Sequence, residues 1–206
     1  VFPAIKLIGI VEKTLANVVN PNLVNLVHSH GGKAKGIHGA EVFFSKRMKA
    51  VTSDNQNGDL GYVGEVVRCN TTEVSRLTQE EIIPILSPLS REDNTDVILN
   101  TNADLAASAL AGEMNVAKLV YISDVLGVLS DPEDDSTLIN TIKCSEVAGL
   151  SEEGIISGGM LPKLNSAIHA IESGVGKVHM IDGRIPHSLL LEIFTNTGIG
   201  TEIVPS

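Results

Sequence analysis

Apolar residues recur every three or four positions near the start of the chain, at Ile5, Ile8, Val11, Leu15, Leu23, Leu26 and Val27. This spacing places them on one side of a helix, so it predicts helical structure over about residues 1–30. Pro21 suits the first turn of a helix but not its interior, and we therefore expect two helices that meet there. Gly31 and Gly32 are expected to end the second helix.

From Lys33 to Asn70 the pattern shortens to runs in which apolar and polar residues alternate, separated by glycine and Asn-Gly. Such runs are typical of β-structure, and we expect strands within 34–37, 42–44 and 62–67. A short helix is predicted over 72–81. A strand is predicted over 82–86, with Pro84 as an interruption.

From Asn100 onwards, strand-like and helix-like segments alternate. The predicted helices cover 103–114, 145–150, 160–173 and 187–194, and the predicted strands cover 119–122, 177–181 and 201–204. Near-continuous aliphatic strands separated by helices are typical of a sheet that is covered on both faces. The sequence therefore predicts an α/β fold, a three-layer αβα sandwich around a mostly parallel sheet.

Composition narrows the classes of partner. The 206 residues include 15 Lys+Arg and 25 Asp+Glu, a formal net charge of -10, which argues against a nucleic-acid partner because phosphates require a basic surface. No apolar run reaches the roughly 18 residues of a membrane span, and two cysteines do not make a disulfide framework. We expect a cytoplasmic protein with neither a nucleic-acid nor a membrane partner.

Three segments are candidates for a ligand site, because open α/β sheets bind ligands beyond the carboxyl ends of their strands. The first, residues 123–129, follows a predicted strand. Asp124 is placed to accept hydrogen bonds from a ribose, and Gly127 allows the backbone to approach a ligand. A simple turn with Asp124 as a cap is the structural alternative.

The second segment, residues 157–163, leads through Gly158 and Gly159 into a predicted helix. Free N–H groups at a helix start attract anions, and Lys163 can direct its ammonium toward a bound phosphate. The spacing is not that of a Walker loop. A glycine-rich junction without a ligand is the alternative.

The third segment, residues 100–104, begins another predicted helix. Asn102 is a good N-cap, and Asp104 in the first turn suits the helix dipole, so both have a structural explanation. The functional interpretation is that Asn100 holds a substrate group while Asp104 orients lysines around a transferring phosphoryl group. The histidines show no spacing typical of a metal site, so no metal ligands are expected, and His179 is expected to be packed.

Five segments, in this order, resemble the N-acetylglutamate kinases of the amino acid kinase family, and the last of them resembles the arginine-sensitive forms of cyanobacteria, plastids and many bacteria. They are Gly61-Tyr-Val-Gly-Glu-Val66, Asn100-Thr-Asn-Ala-Asp104, Ser123-Asp-Val-Leu-Gly-Val-Leu129, Gly158-Gly-Met-Leu-Pro-Lys163 and Ile181-Asp-Gly-Arg-Ile-Pro-His-Ser-Leu-Leu-Leu-Glu192. Each segment by itself is weak evidence for the resemblance, but the five together are specific to this family. The Asp-Gly-Arg-Ile-Pro-His run argues against the carbamate, glutamate 5- and aspartate kinases of the same family.

The resemblance implies ATP-dependent phosphorylation of the side-chain carboxylate of N-acetyl-L-glutamate, in arginine biosynthesis, with Mg²⁺ accompanying the ATP. It implies that Asn100 binds acetylglutamate, that Asp104 organises the catalytic lysines and that Lys163 stabilises the transferring phosphoryl group. The residues that it assigns to the nucleotide pocket are Asp124, Val125, Leu126, Gly127, Val128, Leu129, Ile155, Ile156, Ser157, Gly158 and Gly159.

The resemblance further implies regulation and assembly. Arginine would act as an allosteric effector at Glu192 and Gly198, where a free carboxylate facing a guanidinium is chemically sensible. We expect a homo-oligomer, a PII-type nitrogen sensor as a further partner, and the plastid stroma as the location if the source is a plant or alga.

The sequence also departs from the family pattern. The family's Lys-x-Gly-Gly loop, which supplies a second catalytic lysine, and its substrate-binding arginine have no counterpart here, and Gly36-Ile-His-Gly-Ala-Glu41 replaces the usual Gly-Lys-Asp-Gly. We expect 1–98 to form the remainder of a substrate and dimerisation lobe with a β-hairpin region, and 99–206 a nucleotide-binding lobe of one continuous fold. As a chain without the N-terminal part, it is expected to be inactive or impaired. The alternative is a non-catalytic nucleotide- or arginine-binding homologue that acts as a regulatory partner.

Overall fold

The computed structural model describes residues 4–51, 57–156, 158–195 and 197–206. The chain divides into two compact units, Val1–Leu110 and Ala111–Ser206, and each is described by itself. The functional assignment of residues 1–98 and 99–206 as two lobes stays a prediction.

The first unit begins with a continuous helical segment. Helix α1 (Ala4–Thr14) passes through a π-helical turn (Leu15–Val19) into helix α2 (Asn20–Ser29). The two expected helices are present, and Pro21 lies in the first turn of the second as predicted, although a π-helical turn joins them without a break. A proline in a regular α-helix lacks an N–H and collides with the carbonyl one turn earlier. Here the wider turn, closed by the Asn20 N–H on the Leu15 carbonyl, accommodates Pro21 at the start of α2.

The glycines after α2 end it as expected. Gly31 has φ +80°, its N–H donates to the His28 carbonyl, and the Gly32 N–H reaches the Val27 carbonyl at 3.0 Å. This pair of bonds satisfies the last carbonyls of the helix in a Schellman arrangement.

The rest of the first unit consists of a parallel strand pair, a closed barrel and further helices. Its elements are β1 (Ala34–Ile37), β2 (Phe43–Val51), β3 (Asn57–Cys69), α3 (Thr72–Gln79), β4 (Ile83–Leu86), β5 (Leu89–Glu92), β6 (Ile98–Thr101) and the first part of α4 (Ala103–Glu113). Strands β1 and β4 pair in parallel, and β2, β3, β6 and β5 close the barrel in that order. A Cβ on Gly64 would lie 2.8 Å from the Ser45 Cβ, so only glycine lets β2 and β3 approach this closely.

The second unit consists of one mixed sheet and its helices. Its elements are the end of α4, β7 (Lys118–Ser123), β8 (Thr141–Lys143), α5 (Val147–Glu152), α6 (Met160–Glu172), β9 (Lys177–Asp182), α7 (Ser188–Phe194) and β10 (Thr201–Val204). Within the described residues the strand order is β7-β9-β10-β8, with β9 and β10 antiparallel and the other two pairings parallel. The predicted α/β class is confirmed.

The register between β7 and its neighbour β9 brings polar residues together at one side of the sheet. Ser123, the last residue of β7, is the partner of Asp182, the last residue of β9. Most of β9 is buried, with Val178, Met180 and Ile181 fully inaccessible. Because both strands run the same way and are anchored by this core, the polar residues at their carboxyl ends meet at one edge of the sheet. None of the helices that the described ranges form is long and apolar enough to cross a membrane.

Candidate functional site

A cavity of about 420 Å³ opens at the carboxyl ends of β7 and β9. Its lining consists of Asp124, Val125, Leu126, Gly127, Val128, Leu129, Pro132, Asp135, Ile155, Met160, Asp182 and Arg184. The loop after β7, residues 124–129, and Ile155 were assigned to a nucleotide pocket from the sequence, and the structure brings them together. The volume lies in the range of small-molecule and cofactor sites.

Other residues assigned to that pocket lie elsewhere or are not described. Ile156 is 2% exposed and belongs to the core. Gly158 and Gly159 are exposed and precede α6 without lining the cavity, while Ser157 lies outside the described residues. The assignment of these glycines to the nucleotide stays a prediction.

Sequence reasoning missed several lining residues, of which two follow the loop closely and three come from more distant parts of the chain. They are Pro132, Asp135, Met160, Asp182 and Arg184. Asp182 and Arg184 lie in a segment that carried the family resemblance, and this was a usable signal. Their position beside the loop after β7 depends on the pairing of β7 with β9, which the sequence does not show.

The loop after β7 is held in place by strand β10. Thr201, which is fully buried, accepts a hydrogen bond from the Val128 N–H at 2.8 Å and donates to the Ile139 carbonyl at 2.8 Å. Gly127 has φ +152°, and a Cβ there would lie 2.5 Å from the Thr201 Oγ1. The glycine is therefore required by the close approach of the loop to β10.

Asp182 and Arg184 form a tight pair at the cavity. The Asp182 side chain is 5% exposed, and its Oδ1 accepts hydrogen bonds from the Arg184 backbone N–H at 2.8 Å and from Nε at 2.9 Å. Its Oδ2 accepts from Nη2 at 2.7 Å. These side-chain and backbone hydrogen bonds lower the pKa of the Asp182 carboxyl, and the same pair raises the pKa of Arg184. Both groups are charged at neutral pH.

The walls combine two kinds of surface. Aliphatic side chains, among them Val125, Leu126 and Ile155, offer a nonpolar slot, and the carboxylates of Asp124 and Asp135 stand beside it. A planar heterocycle fits the aliphatic part, and carboxylates accept hydrogen bonds from sugar hydroxyls. The cavity can therefore hold a nucleoside.

Lys163 is the fourth residue of α6 and is half-buried, outside the lining of this cavity. Helix α6 begins after Gly158, which has φ +55°, and Gly159 is its N-cap. Pro162 lies in the first turn, where its missing N–H removes no helical hydrogen bond. The helix start expected at 160 is confirmed, and the catalytic role of Lys163 stays a prediction.

Asn100 and Asp104 belong to the first unit. Asn100 lies in β6, half-buried, opposite Val63 of β3 and Leu89 of β5. Asp104 lies in the first turn of α4, and the expected N-cap is confirmed because the Asn102 Oδ1 accepts from the Leu105 N–H at 3.1 Å. The substrate and catalytic roles of Asn100 and Asp104 stay predictions.

The second unit also contains a polar cavity, with a volume of about 320 Å³. Its lining consists of Lys118, Asn140, Thr141, Lys177, His179, Glu192, Ile193, Thr195, Thr197, Gly198 and Glu202. Glu192 and Gly198, which the resemblance assigns to an effector, both line it. A Cβ on Gly198, at φ +65°, would lie 2.6 Å from the Glu192 Oε2.

The Glu192 carboxylate is not free, contrary to the expectation from sequence. Its Oε1 lies 2.6 Å from the His179 Nδ1, and its Oε2 accepts hydrogen bonds from the Ile199 and Gly200 N–H groups at 2.8 and 3.0 Å. Burial raises the pKa of this carboxyl, but the Ile199 N–H, His179 and the Gly200 N–H together lower it below its ordinary value. His179 is 4% exposed, which confirms that it is packed.

Comparison with known proteins places the chain in a family. The amino acid kinase family matches residues 7–182. The acetylglutamate kinase of Akkermansia muciniphila is 50% identical over 197 residues, covering 96% of this chain and 66% of that protein. The acetylglutamate kinase of Moorella thermoacetica is 42% identical over 201 residues, covering 95% and 68%. The chain therefore spans about two thirds of the length of these relatives.

Solved structures show the same fold. N-acetylglutamate synthase from Neisseria gonorrhoeae, complexed with coenzyme A and L-arginine, has a TM-score of 0.70 and 25% identity, covering 84% of this chain and 38% of that one. Carbamate kinase from Giardia lamblia bound to AMP-PNP has a TM-score of 0.65 and 16% identity, covering 95% and 73%. The family match covers most of the 206 residues, and the resemblance to acetylglutamate kinases drawn from five short segments is confirmed over nearly the whole chain. The chain belongs to the amino acid kinase family.

Proposed function

We propose that this protein is an acetylglutamate kinase, which transfers the γ-phosphoryl group of ATP to the side-chain carboxylate of N-acetyl-L-glutamate in arginine biosynthesis. The observation that carries the proposal is the cavity lined by residues 124–129 and Ile155, the positions that the resemblance assigns to the nucleotide. Acetylglutamate as the phosphoryl acceptor is supported by relatives of 50% and 42% identity that are acetylglutamate kinases.

In this proposal the aliphatic walls hold the adenine and Asp124 accepts hydrogen bonds from the ribose. Mg²⁺ arrives on the phosphates of ATP, as this small cation usually keeps several waters and takes few protein ligands. In the described part of the chain, no group of three or more His, Cys, Asp or Glu side chains is arranged to hold a metal. Asp135 is a carboxylate of the kind that such a phosphate-borne cation prefers.

The proposed chemistry requires charge stabilisation rather than covalent catalysis. A carboxylate oxygen of acetylglutamate attacks the γ-phosphorus, the bond to the β–γ bridging oxygen breaks, and ADP leaves with that oxygen. Negative charge on the transferring group favours a nearby ammonium, which we assign to Lys163, and we assign the organisation of the catalytic lysines to Asp104. Asn100 is assigned to acetylglutamate.

Titration calorimetry of the 206-residue chain tests the nucleotide site. MgATP is expected to bind, and Val125→Asp is expected to weaken binding by about tenfold or more, because it places a like charge in the cavity. Val67→Asp on β3 is the control, since Val67 is likewise an exposed valine but does not line this cavity. Wild-type chain that binds no MgATP, or Val125→Asp chain that binds it like wild type, would refute the site.

Turnover that depends on acetylglutamate distinguishes the proposed kinase from a non-catalytic homologue. An assay of ADP release, run with and without acetylglutamate, measures turnover directly. We expect low or no turnover from this chain by itself. We expect acetylglutamate-dependent turnover from a version extended to the length of the relatives, which is called the full-length protein below. Nucleotide binding without acetylglutamate-dependent turnover by the full-length protein would favour a non-catalytic regulatory homologue instead.

Arginine binding is a second candidate function of the same protein. The polar cavity carries both carboxylates and ammonium groups, including Glu192, Glu202 and Lys177, which suits a ligand with both charges. The similar Neisseria gonorrhoeae synthase was solved with L-arginine. Titration with L-arginine is expected to show binding, and L-lysine is the control because it lacks the guanidinium. Absence of arginine binding by the full-length protein would exclude this effector.

A further inference from the structure

We propose that Arg184 is a nucleotide-binding residue whose positive charge favours phosphorylated nucleotides over the uncharged nucleoside, and that Asp182 is its positioning residue. The inference rests on the proposed nucleotide site, and it adds a specificity determinant to it. Neither residue was assigned to the nucleotide from the sequence.

The first argument is the fixed position of the guanidinium. Asp182, at the end of β9, is buried, and both of its oxygens accept from the Nε and Nη2 edge of Arg184 at 2.9 and 2.7 Å. The Arg184 backbone N–H donates to the same carboxylate at 2.8 Å. A side chain held by such a fork loses much of its rotamer freedom before any ligand binds, so binding costs less entropy.

The second argument is that part of the Arg184 guanidinium remains accessible to a ligand. The Arg184 side chain is 68% exposed and lines the cavity. Among the described residues, Nη1 makes no hydrogen bond that competes with a ligand. Arginine donors of this kind recognise phosphate oxygens and stack on planar bases.

The third argument is the charge of the cavity. Asp124, Asp135 and Asp182 bring three carboxylates to its lining, and Arg184 is the one cationic side chain among the described lining residues. Attraction to Asp124 and Asp135 acts on Arg184 in addition to its pair with Asp182. Without Arg184 an anionic nucleotide would meet carboxylates alone, and like charges at such distances repel. Arg184 lowers the net negative charge of the lining and is the described lining side chain that can attract an anionic phosphate.

Stability alone is a weak reason for this pair. Ion pairs with an exposed partner contribute little to folding because water and salt screen them. Arg76 on α3 provides the comparison within this chain, since it pairs with Glu73 and Glu80 at the surface and lines neither cavity. Replacing either arginine by alanine removes the same charge, but only Arg184 faces the proposed site.

Titration calorimetry of Arg184→Ala, Arg184→Lys and Arg76→Ala with MgATP, ADP and adenosine tests the inference. Arg184→Ala is expected to weaken MgATP and ADP binding by about tenfold or more and adenosine binding by less than about twofold. Arg184→Lys keeps the charge without the fork and is expected to recover part of the loss. Arg76→Ala is expected to match wild type. Added salt is expected to weaken ATP binding more in wild type than in Arg184→Ala.

The outcomes separate this inference from the proposed function. Wild-type chain that binds no nucleotide refutes the proposed site, and the inference with it. Nucleotide binding that Arg184→Ala leaves unchanged, or weakens equally for ATP and adenosine, refutes the inference and leaves the site standing. Lysine at position 184 that recovers nothing would contradict a role based on charge. Thermal unfolding followed by circular dichroism checks that each variant is folded.

Discussion

His179 Nδ1 and Glu192 Oε1 lie 2.6 Å apart, and the two side chains are only 5% and 3% exposed. The contact joins strand β9 to helix α7. The second oxygen of the same carboxylate holds the Ile199 and Gly200 N–H groups at the entry to β10. One buried carboxylate therefore organises three successive elements around the polar cavity.

Glu192→Gln is expected to lower the free energy of unfolding by about 2–4 kcal/mol at pH 7, because it removes a buried charge that three donors stabilise. The folded-state pKa of Glu192 is lowered. Its contribution is therefore complete above the unfolded-state value of about 4.3 and is lost as the pH falls through the lower folded-state value. The difference from wild type should shrink on acidification below about pH 4.3.

Urea unfolding monitored by far-UV circular dichroism measures this difference, since the chain has no Trp for fluorescence. The exposed Glu152→Gln is the control and is expected to change stability by less than about 0.5 kcal/mol. A difference between wild type and Glu192→Gln that stays constant from pH 7 to 3 would contradict the account of a charged carboxylate.

Gly127→Ala is expected to destabilise the protein by about 2–4 kcal/mol and to weaken MgATP binding, because the new Cβ collides with Thr201 and the backbone has positive φ. Gly149→Ala in α5 is the matched control. A Cβ there meets nothing within 4 Å, so alanine should stabilise the helix by about 0.5–1 kcal/mol. Urea unfolding and calorimetry measure both effects, and equal behaviour of the two variants would argue against the steric explanation.

Lys163→Met in the full-length protein is expected to lower kcat by about 100-fold or more, because it removes the ammonium proposed to stabilise the transferring phosphoryl group. ATP binding should weaken much less. Lys143→Met, which changes an exposed lysine outside both cavities, is the control. ADP-release kinetics measure kcat for both variants. Full activity of Lys163→Met would show that Lys163 has no role in the mechanism.

Gly198→Ala is expected to weaken L-arginine binding by about tenfold or more, because its Cβ would lie 2.6 Å from the Glu192 Oε2 and displace the carboxylate. MgATP binding is measured in parallel and is expected to stay unchanged, since Gly198 does not line the nucleotide cavity. Arginine binding at wild-type strength would show that this cavity is not the arginine site.

The spacing of apolar residues along the chain predicted the elements that carry a clear apolar face. Helix α6 was expected over 160–173 and covers Met160–Glu172, and β10 covers the residues expected. Strands β5 and β6 were missed, and their pairing inside the barrel decides their structure. Pro21 lies in the first turn of α2 as expected, whereas the π-helical turn that joins α1 to α2 was not predicted.

From the sequence alone, the α/β class, the acidic charge and the loop at 124–129 were determined, since each depends on residues close together in the chain. Tertiary structure decided the rest. Asp182 and Arg184 reach that loop only because β9 pairs with β7, and Glu192 is engaged only because α7 packs its carboxylate against His179 and the backbone before β10. Contacts between distant segments arise from how the strands pair and pack, and no local spacing of residues records that pairing.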